Sequence, residues 1–349
     1  MPRSHERRIH MLLLYGMLAW TGLYAGNMDV AHLWCNLQGG RPMSGYVGDA
    51  RRRFSRVRDA MGGQRPRSVT RGRLRRYAGV DGSKVVSSAE MRAALAEQGF
   101  VRCGGFPPAD AKVLYDLLWE DYATRYNMSP DDPSTWSTEG GIGVRPYGEP
   151  CSRLTESASW KRMVMKINEA MDDMFGAGAW RCKTGGTLLV NGPSQGVEWT
   201  TPYSWHTDEP VHPFNPEPCT FYAMAYFDDL ELRGGSTMIL AGSSCRALRY
   251  NRSFSNGGYM LKEALGKESS WFAKLFSGES EKDTSANRAI RYTTEEFHSS
   301  GITLRVVELI GSAGDLIVWD PRALHSSSDN ANMRPRTSVR IPIERIGTR

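Results

Sequence analysis

The spacing of apolar and polar positions divides the chain into a helical part and a strand-rich part. Before residue 180, apolar residues recur every three to four positions in three stretches, which predicts three amphipathic helices. The first helix opens on a capping-box pattern at residues 87–90 and stops at Gly99, and the third ends at Gly176. A strand is predicted to begin at Phe100-Val101, directly after the first helix. Their apolar positions are Met91, Ala94 and Leu95, then Val113, Leu114, Leu117, Leu118 and Tyr122, then Trp160, Met163, Val164, Ile167, Met171 and Phe175. These stripes predict core contacts.

From Thr187 onward the pattern changes to the short alternating runs that are typical of strands. Gly, Pro and Asn separate the runs. The predicted strands are Thr187–Val190, Thr220–Phe227, Ser236–Leu240, Thr303–Ile310, Asp315–Trp319 and Arg336–Ile343. Helices followed by at least six strands predict an α+β or mainly β fold, in which an antiparallel barrel or sandwich is backed by the N-terminal helices.

A polar stretch rich in Gly and Ser, residues 243–300, interrupts the strands. A structureless connection of that length is unusual inside a compact domain. Two short helices are expected within it, over Tyr259–Leu265 and Trp271–Phe276. We interpret residues 243–300 as an insertion that is either a lid over the barrel mouth or an excursion on the surface.

Residues 1–28 have the pattern of a targeting segment. Basic residues precede an uncharged run at 11–28 that centres on leucines, and its 18 residues are marginal for a membrane-spanning helix. Residues 29–85 are rich in Arg and are expected to be disordered. Together they are typical of a cleaved signal or a bipartite plastid-type leader, with a retained membrane anchor as the alternative. The C-terminus is not Ser-Lys-Leu, so a peroxisomal address is not expected.

The basic charge of the chain is concentrated in this leader. Twelve arginines and two aspartates give residues 41–80 a net charge of +10, so the rest of the chain carries −4 out of a total of +6. We therefore expect no nucleic-acid-binding surface on the folded part, residues 86–345. Contact with a membrane is expected only through residues 11–28. The leader could also act as a basic arm that contacts acidic lipids or nucleic acid.

A His-x-Asp pair and a distant histidine carry the candidate chemistry. His206 and Asp208 occupy alternate positions of an extended segment, so their side chains point the same way. His325 follows a buried strand that would return it to the barrel mouth. Two imidazoles and one carboxylate are the ligand set of a non-haem iron(II) site with open positions. A His-x-Asp pair alone is a weak signal, and His206 could equally be an ordinary core or surface histidine.

The last predicted strand offers a cation on the same side. Polar residues at 336, 338 and 340 alternate with apolar ones, so Arg336 is expected to face the barrel interior while Val339 and Ile341 pack outward. A guanidinium in that place can form a bidentate pair with the carboxylate of a dicarboxylic cosubstrate.

In several motifs the sequence resembles the phytanoyl-CoA dioxygenase family of iron(II)/2-oxoglutarate oxygenases. The matching segments are Trp205–Asp208, Gly234–Ser243, Gly314–Trp319, Asp320–Ser327, Glu97–Val101 and Arg336, eleven residues after His325. The resemblance covers roughly residues 87–345. It implies a double-stranded β-helix, a jelly-roll barrel of the cupin type. It also implies His206, Asp208 and His325 as metal ligands, and Arg336 as the partner of 2-oxoglutarate, assisted by Ser327 and Asn191.

The resemblance also implies the reaction. Iron(II), 2-oxoglutarate and O2 would be required, with ascorbate as a supporting reductant, and succinate and CO2 would be released. Halogenating relatives carry a small residue in place of the carboxylate, so Asp208 favours hydroxylation of a small-molecule or lipid-like substrate. Two alternatives stay open. One is a cupin-type metal enzyme that does not use 2-oxoglutarate, and the other is a non-catalytic barrel that binds a ligand.

Overall fold

A computed structural model of the chain describes residues 87–136, 147–183, 185–194, 198–215, 217–255, 257–277 and 284–347. The predictions for residues 1–28 and 29–85 fall outside these ranges. In the ranges given, none of the helices combines the length and the apolar character that a membrane span requires. The five cysteines within them, Cys103, Cys151, Cys182, Cys219 and Cys245, are free thiols.

The described helices lie in two groups along the chain. They are α1 (Ser88–Gln98), α2 (Pro108–Tyr126), α3 (Ser152–Thr155), α4 (Ala158–Phe175), α5 (Ser243–Leu248), α6 (Tyr259–Glu268), α7 (Ser270–Ser277) and α8 (Ser285–Thr294). The capping box predicted for α1 is present. Ser87 Oγ accepts from the Glu90 backbone N–H at 3.3 Å, and Glu90 Oε2 accepts from the Ser87 N–H at 2.8 Å. Gly99 ends the helix at φ +82°, a left-handed conformation that glycine adopts without strain.

The strands form two antiparallel sheets. They are β1 (Phe100–Gly105), β2 (Tyr147–Gly148), β3 (Trp180–Cys182), β4 (Thr187–Asn191), β5 (Thr220–Tyr226), β6 (Thr237–Ala241), β7 (Phe297–Ser299), β8 (Ile302–Glu308), β9 (Asp315–Trp319), β10 (His325–Ser327) and β11 (Arg336–Arg345). The larger sheet has the order β1-β9-β5-β11-β4-β2, with β3 paired to β11, and the smaller has the order β10-β6-β8-β7. This is the predicted double-stranded β-helix backed by N-terminal helices.

Alternation along the central strands gives each sheet two apolar faces, so the fold has four layers. The outer face of the larger sheet packs on α1, α2 and α4 through Val318, Val339, Ile341 and Ile343. The two inner faces enclose the barrel interior, which contains Met224, Tyr226, Ile239, Val307 and Trp319. The outer face of the smaller sheet packs on the insertion through Met238, Leu240, Leu304 and Val306.

All six predicted strands are present, with ends that differ by no more than two residues. The strand predicted to begin at Phe100 is also present, as β1. The four strands that the pattern missed, β2, β3, β7 and β10, have only two or three residues, too few for a period to show. Both helices predicted in the insertion are present as α6 and α7, whereas α5 and α8 were missed. The prediction that Val113 is buried was wrong, because it lies at the edge of the α2 stripe and is 44% exposed.

One buried carboxyl outside the candidate site makes stability depend on pH. Glu308 at the end of β8 is buried, and its Oε1 accepts a hydrogen bond from the Arg233 backbone N–H at 2.7 Å. Burial raises the pKa of this carboxyl from 4.5 to about 7, because a charge is poorly solvated there. The folded state therefore retains a proton that the unfolded state releases, and stability falls as pH rises from 4.5 to 7.

We expect Glu308→Gln to remove this loss. The variant should unfold at the same denaturant concentration as the wild type near pH 4.5. At pH 8 it should be more stable, by on the order of 3 kcal/mol. Chemical denaturation at both pH values measures the difference. Glu344→Gln, which removes an exposed carboxylate paired with Lys183, is the control and should not reproduce the gain. An equal effect of Glu308→Gln at both pH values would contradict the assignment.

Candidate metal centre

Two segments that are far apart in the sequence meet at the barrel mouth. The backbone N–H of His206 donates to the His325 carbonyl at 3.0 Å, and the His325 N–H donates to the His206 carbonyl at 2.9 Å. The Asp208 N–H donates to the Pro321 carbonyl at 2.9 Å. These bonds fix the backbone of both segments, so the side chains at 206, 208 and 325 project toward one another.

The three predicted ligands form one group. Ligand atoms of His206, Asp208 and His325 all lie within 4.8 Å of one another, and the described residues contain no second cluster of this kind. His206 Nε2 is 3.6 Å from Asp208 Oδ1, and His325 Nε2 is 3.5 Å from Asp208 Oδ2. Two ligand atoms bound at right angles to one ion by bonds of about 2.1 Å would stand about 3 Å apart. Each of these two His–Asp distances would therefore shorten by about half an ångström if its atoms bound one ion.

The imidazole rings are oriented by the backbone. Nδ1 of His206 lies 3.1 Å from the Ser204 carbonyl oxygen, and Nδ1 of His325 lies 3.0 Å from the Ala323 carbonyl oxygen. A carbonyl oxygen can only accept, so each Nδ1 carries the hydrogen and each Nε2 keeps its lone pair. Hydrogen bonds of this kind commonly set the tautomer of metal-binding histidines.

The protonation states at neutral pH suit a cation. Burial lowers the pKa of His206, and the neighbouring His325 lowers it further, so the ring is neutral. Burial alone would raise the pKa of Asp208. At the acid pH where this carboxyl titrates, hydrogen bonding and positive charge from His325, together with the positive charges of Arg340 and His206, outweigh this effect and hold that pKa at about 2. At neutral pH the group therefore presents a charged carboxylate at Asp208 and a lone pair at His206.

An arginine that we had not assigned to the site contacts this carboxylate. Arg340 Nη1 lies 3.0 Å from Asp208 Oδ2, and its guanidinium stacks 4.7 Å from the centre of the Tyr222 ring. The alternation that predicted an inward Arg336 also places Arg340 on the inner face. No sequence pattern identifies Asp208, 132 positions earlier, as its partner, because that pairing depends on the fold.

The predicted cosubstrate residues lie deeper in the barrel. Arg336 is buried on the inner face of β11, opposite Asn191 on β4. Arg336 Nη1 donates to the Gly235 carbonyl at 2.5 Å, and Asn191 Nδ2 donates to the same carbonyl at 3.3 Å. Ser327, half-buried on β10, pairs with Thr237. The structure thus brings Arg336 and Asn191 together, while a role for Ser327 stays a prediction.

Two buried donors beside the metal group have no acceptor within the described ranges. These are Arg340 Nε and the indole Nε1 of Trp319, whose ring centre is 6.3 Å from that of His325. A buried donor without a partner costs free energy, so such atoms indicate a place for an absent acceptor. An oxygen-rich molecule bound beside the metal would satisfy this need.

Comparison with known proteins agrees with the geometry. A family model described as Phytanoyl-CoA dioxygenase (PhyH) matches residues 95–338, well over half of the chain. The chain belongs to the phytanoyl-CoA dioxygenase family. The resemblance stated from the motifs is thereby confirmed. The general kind of enzyme, a 2-oxoglutarate-dependent oxygenase with iron and 2-oxoglutarate as cofactors, agrees with this family and with the His-Asp-His group.

The solved structures that resemble this chain share little of its sequence. AviO1 from Streptomyces viridochromogenes Tue57 is 15% identical, over 76% of this chain and 99% of that one, with a TM-score of 0.43. SnoK, a non-heme alpha ketoglutarate dependent carbocyclase from nogalamycin biosynthesis, is 15% identical over 75% and 87%, with a TM-score of 0.49. EctD from S. alaskensis, solved with 2-oxoglutarate and 5-hydroxyectoine, is 16% identical over 76% and 79%, with a TM-score of 0.44. No curated protein sequence matches the chain.

Removing either imidazole should abolish tight metal binding. We expect His206→Ala and His325→Ala each to weaken the binding of Co(II), a spectroscopic substitute for iron(II), by at least about a hundredfold. Titration followed by visible absorbance measures the affinity. His298→Ala is the matched control, because that exposed histidine bonds only to Thr303 on the neighbouring strand. Retention of wild-type affinity by either site variant would show that the group is not the metal site.

Proposed function

We propose that the protein is an iron(II)- and 2-oxoglutarate-dependent hydroxylase of a small-molecule or lipid-like substrate. The observation that carries the proposal is the convergence of two oriented imidazoles and one carboxylate at the barrel mouth, with Arg336 buried deeper on the inner face. The non-catalytic alternative predicts either that these residues do not converge or that replacing His206 by Ala leaves function intact, and their convergence removes the first of these two forms. Membership of a dioxygenase family favours the same conclusion.

His206, Asp208 and His325 would hold the metal through two Nε2 atoms and one carboxylate oxygen. Arg340 already engages Oδ2 of Asp208, which leaves Oδ1 for the ion. Three protein ligands on one side of an ion leave other positions open, as oxygen chemistry requires. His206 is half-buried, with 45% of its side chain exposed, so the group is accessible from the barrel mouth.

Arg336 would bind the distal carboxylate of 2-oxoglutarate. Arg336 and Arg340 share the inner face of β11 four residues apart, about 13 Å along the strand. The side chain of Arg336 and a five-carbon dicarboxylate can together bridge that distance to the metal group. Asn191 pairs with the same carbonyl as Arg336 and would help to hold its guanidinium in place. A cupin-type enzyme that does not use 2-oxoglutarate gives no reason for this buried arginine.

When bound, iron and 2-oxoglutarate would supply the activation of O2 and the oxidation of a substrate C–H bond, with release of succinate and CO2. This chain would contribute the orientation of the metal ligands and an accessible face of the ion. It would also contribute two hydrogen-bond donors, Arg340 Nε and Trp319 Nε1, for a molecule bound beside the ion. The carboxylate of Asp208 occupies the position that is a small residue in halogenating relatives. For that reason we propose hydroxylation, with the substrate class inferred from the family.

The proposed reaction predicts turnover of the cosubstrate. The purified full-length chain, given iron(II), ascorbate and 2-oxoglutarate, should release succinate and CO2 in equal amounts. The His325→Ala variant should release none, because the metal would lack a ligand. Mass spectrometry of succinate over several hours measures both. His298→Ala should behave as the wild type. Equal succinate release by the wild type and His325→Ala would contradict the proposed reaction.

The second prediction separates the cosubstrate residue from the metal ligands. Arg336→Ala should raise the 2-oxoglutarate concentration needed for half-maximal turnover at least about thirtyfold, because loss of a buried charge partner costs about 2–5 kcal/mol. Its Co(II) affinity should stay at the wild-type value. The control is Arg345→Ala, which removes an arginine from the far end of β11 that pairs with Glu217 at 2.9 Å. An unchanged 2-oxoglutarate dependence would remove Arg336 from the site.

A further inference from the structure

We propose that the insertion, residues 243–300, is a brace that positions the metal ligands, and that Gly258 is its positioning residue. The proposal rests on the metal site of the proposed function but not on the reaction. In this proposal the insertion packs on the side of the ligand segments that faces away from the metal. The sequence alone instead predicts a lid over the barrel mouth or an excursion on the surface.

Backbone pairing joins the insertion to the His-x-Asp segment. Val211 and Phe254 exchange two hydrogen bonds of 2.9 Å, and the Gly257 N–H donates to the Thr207 carbonyl at 2.7 Å. Thr207 is the residue between His206 and Asp208. The segment that bears two ligands is therefore paired with the insertion along one edge, and with Pro321 and His325 along the other.

Gly258 touches both ligand segments at once. A Cβ at this position would lie 2.8 Å from Leu324 Cδ2, 3.1 Å from the Thr207 nitrogen and 3.2 Å from Thr207 Cγ2. Leu324 immediately precedes His325. Gly258 has a φ of +70°, in the left-handed region, and lies directly before the first residue of α6. Only a glycine allows the start of α6 to approach the two ligand segments this closely.

The side chains that alternate with the ligands are anchored in the insertion. Along residues 205–208 the burial alternates, with Trp205 and Thr207 buried and the two ligands half-buried. Trp205 and Leu324 belong to the same apolar cluster as Phe254, Leu261 and Leu265. Because successive side chains of an extended segment point to opposite sides, the insertion contacts the side away from the metal.

Two polar contacts extend the brace. Ser243 Oγ, at the start of the insertion, accepts from the Leu324 N–H at 2.8 Å. Arg288 of α8 donates to the Thr201 carbonyl at 3.3 Å and stacks 4.1 Å from the centre of the Tyr203 ring. Both segments that lead into the ligands, 201–205 and 323–324, are thus held from the insertion. Ligand spacing then depends on how well the insertion packs, and metal binding should in turn stabilise the insertion.

Two neighbouring glycines provide a matched test. Gly257 and Gly258 have φ values of +83° and +70°, so alanine is strained in a similar way at either. Only at Gly258 would the added Cβ meet the ligand segments, since no described residue beyond its chain neighbours comes within 4 Å of a Cβ at Gly257. We expect Gly258→Ala to weaken Co(II) binding by about 10- to 100-fold, and Gly257→Ala by less than about threefold. Titrations use full-length protein at a temperature where near-UV circular dichroism shows each variant folded.

Equal Co(II) affinities of the two folded variants would overturn the proposal, because a merely structural role lowers the melting temperature without moving this affinity. If Gly258→Ala does not fold, hydrogen exchange on the wild type tests the proposal instead. Co(II) should slow exchange at the amides of Gly257 and Lys262, which donate to Thr207 and Gly258, and no protection there would overturn the brace.

Failure of the brace and failure of the proposed reaction are distinguishable. Co(II) binding by the wild type without succinate release would reject the reaction and leave the brace standing. Absence of Co(II) binding by the wild type would reject both.

Discussion

The candidate site depends on one short backbone pairing, the two hydrogen bonds that join His206 and His325. His325 lies 117 positions after Asp208 in the sequence, and this pairing brings it to the His-x-Asp segment. The sheets on either side make this possible. β9 carries the chain to the barrel mouth just before His325, and β10 begins at His325 itself and pairs with β6. The metal group is thus a consequence of how the two sheets close.

Alternation of side chains turns this pairing into a site with two distinct sides. Along residues 205–208, His206 and Asp208 face the metal position while Trp205 and Thr207 face the insertion. The same rule operates in β11, where Arg336 and Arg340 face the interior and Val339 between them packs on the helices. One extended segment therefore packs against the core with one set of side chains and presents polar groups to the candidate site with the other.

The parts of the fold that were predictable are those with a local period. The capping box at residues 87–90, the seven strands of five or more residues and the inward Arg336 follow from residues that are neighbours in sequence. The ion pair between Arg340 and Asp208 and the contact of Gly258 with Thr207 and Leu324 depend on which segments become neighbours in space. A glycine in a polar insertion carries no signal of its own, because a loop glycine is common for many reasons. The motif predicted the metal group, but its supporting contacts required the structure.

The charge balance explains why a fixed cation beside a ligand carboxylate does not defeat metal binding. Asp208 and Arg340 form a neutral pair, so a divalent ion alone would leave two uncompensated positive charges in a partly buried site. In the proposed site, one carboxylate of 2-oxoglutarate would lie near the metal and lower that excess to one positive charge, while the other would pair with Arg336. Each cofactor then stabilises the other, and by linkage the stabilisation is mutual. The positive charge of Arg340 therefore weakens binding of the metal ion alone more than it weakens binding of the ion together with 2-oxoglutarate. This favours a site in which the metal binds tightly only when the cosubstrate is present.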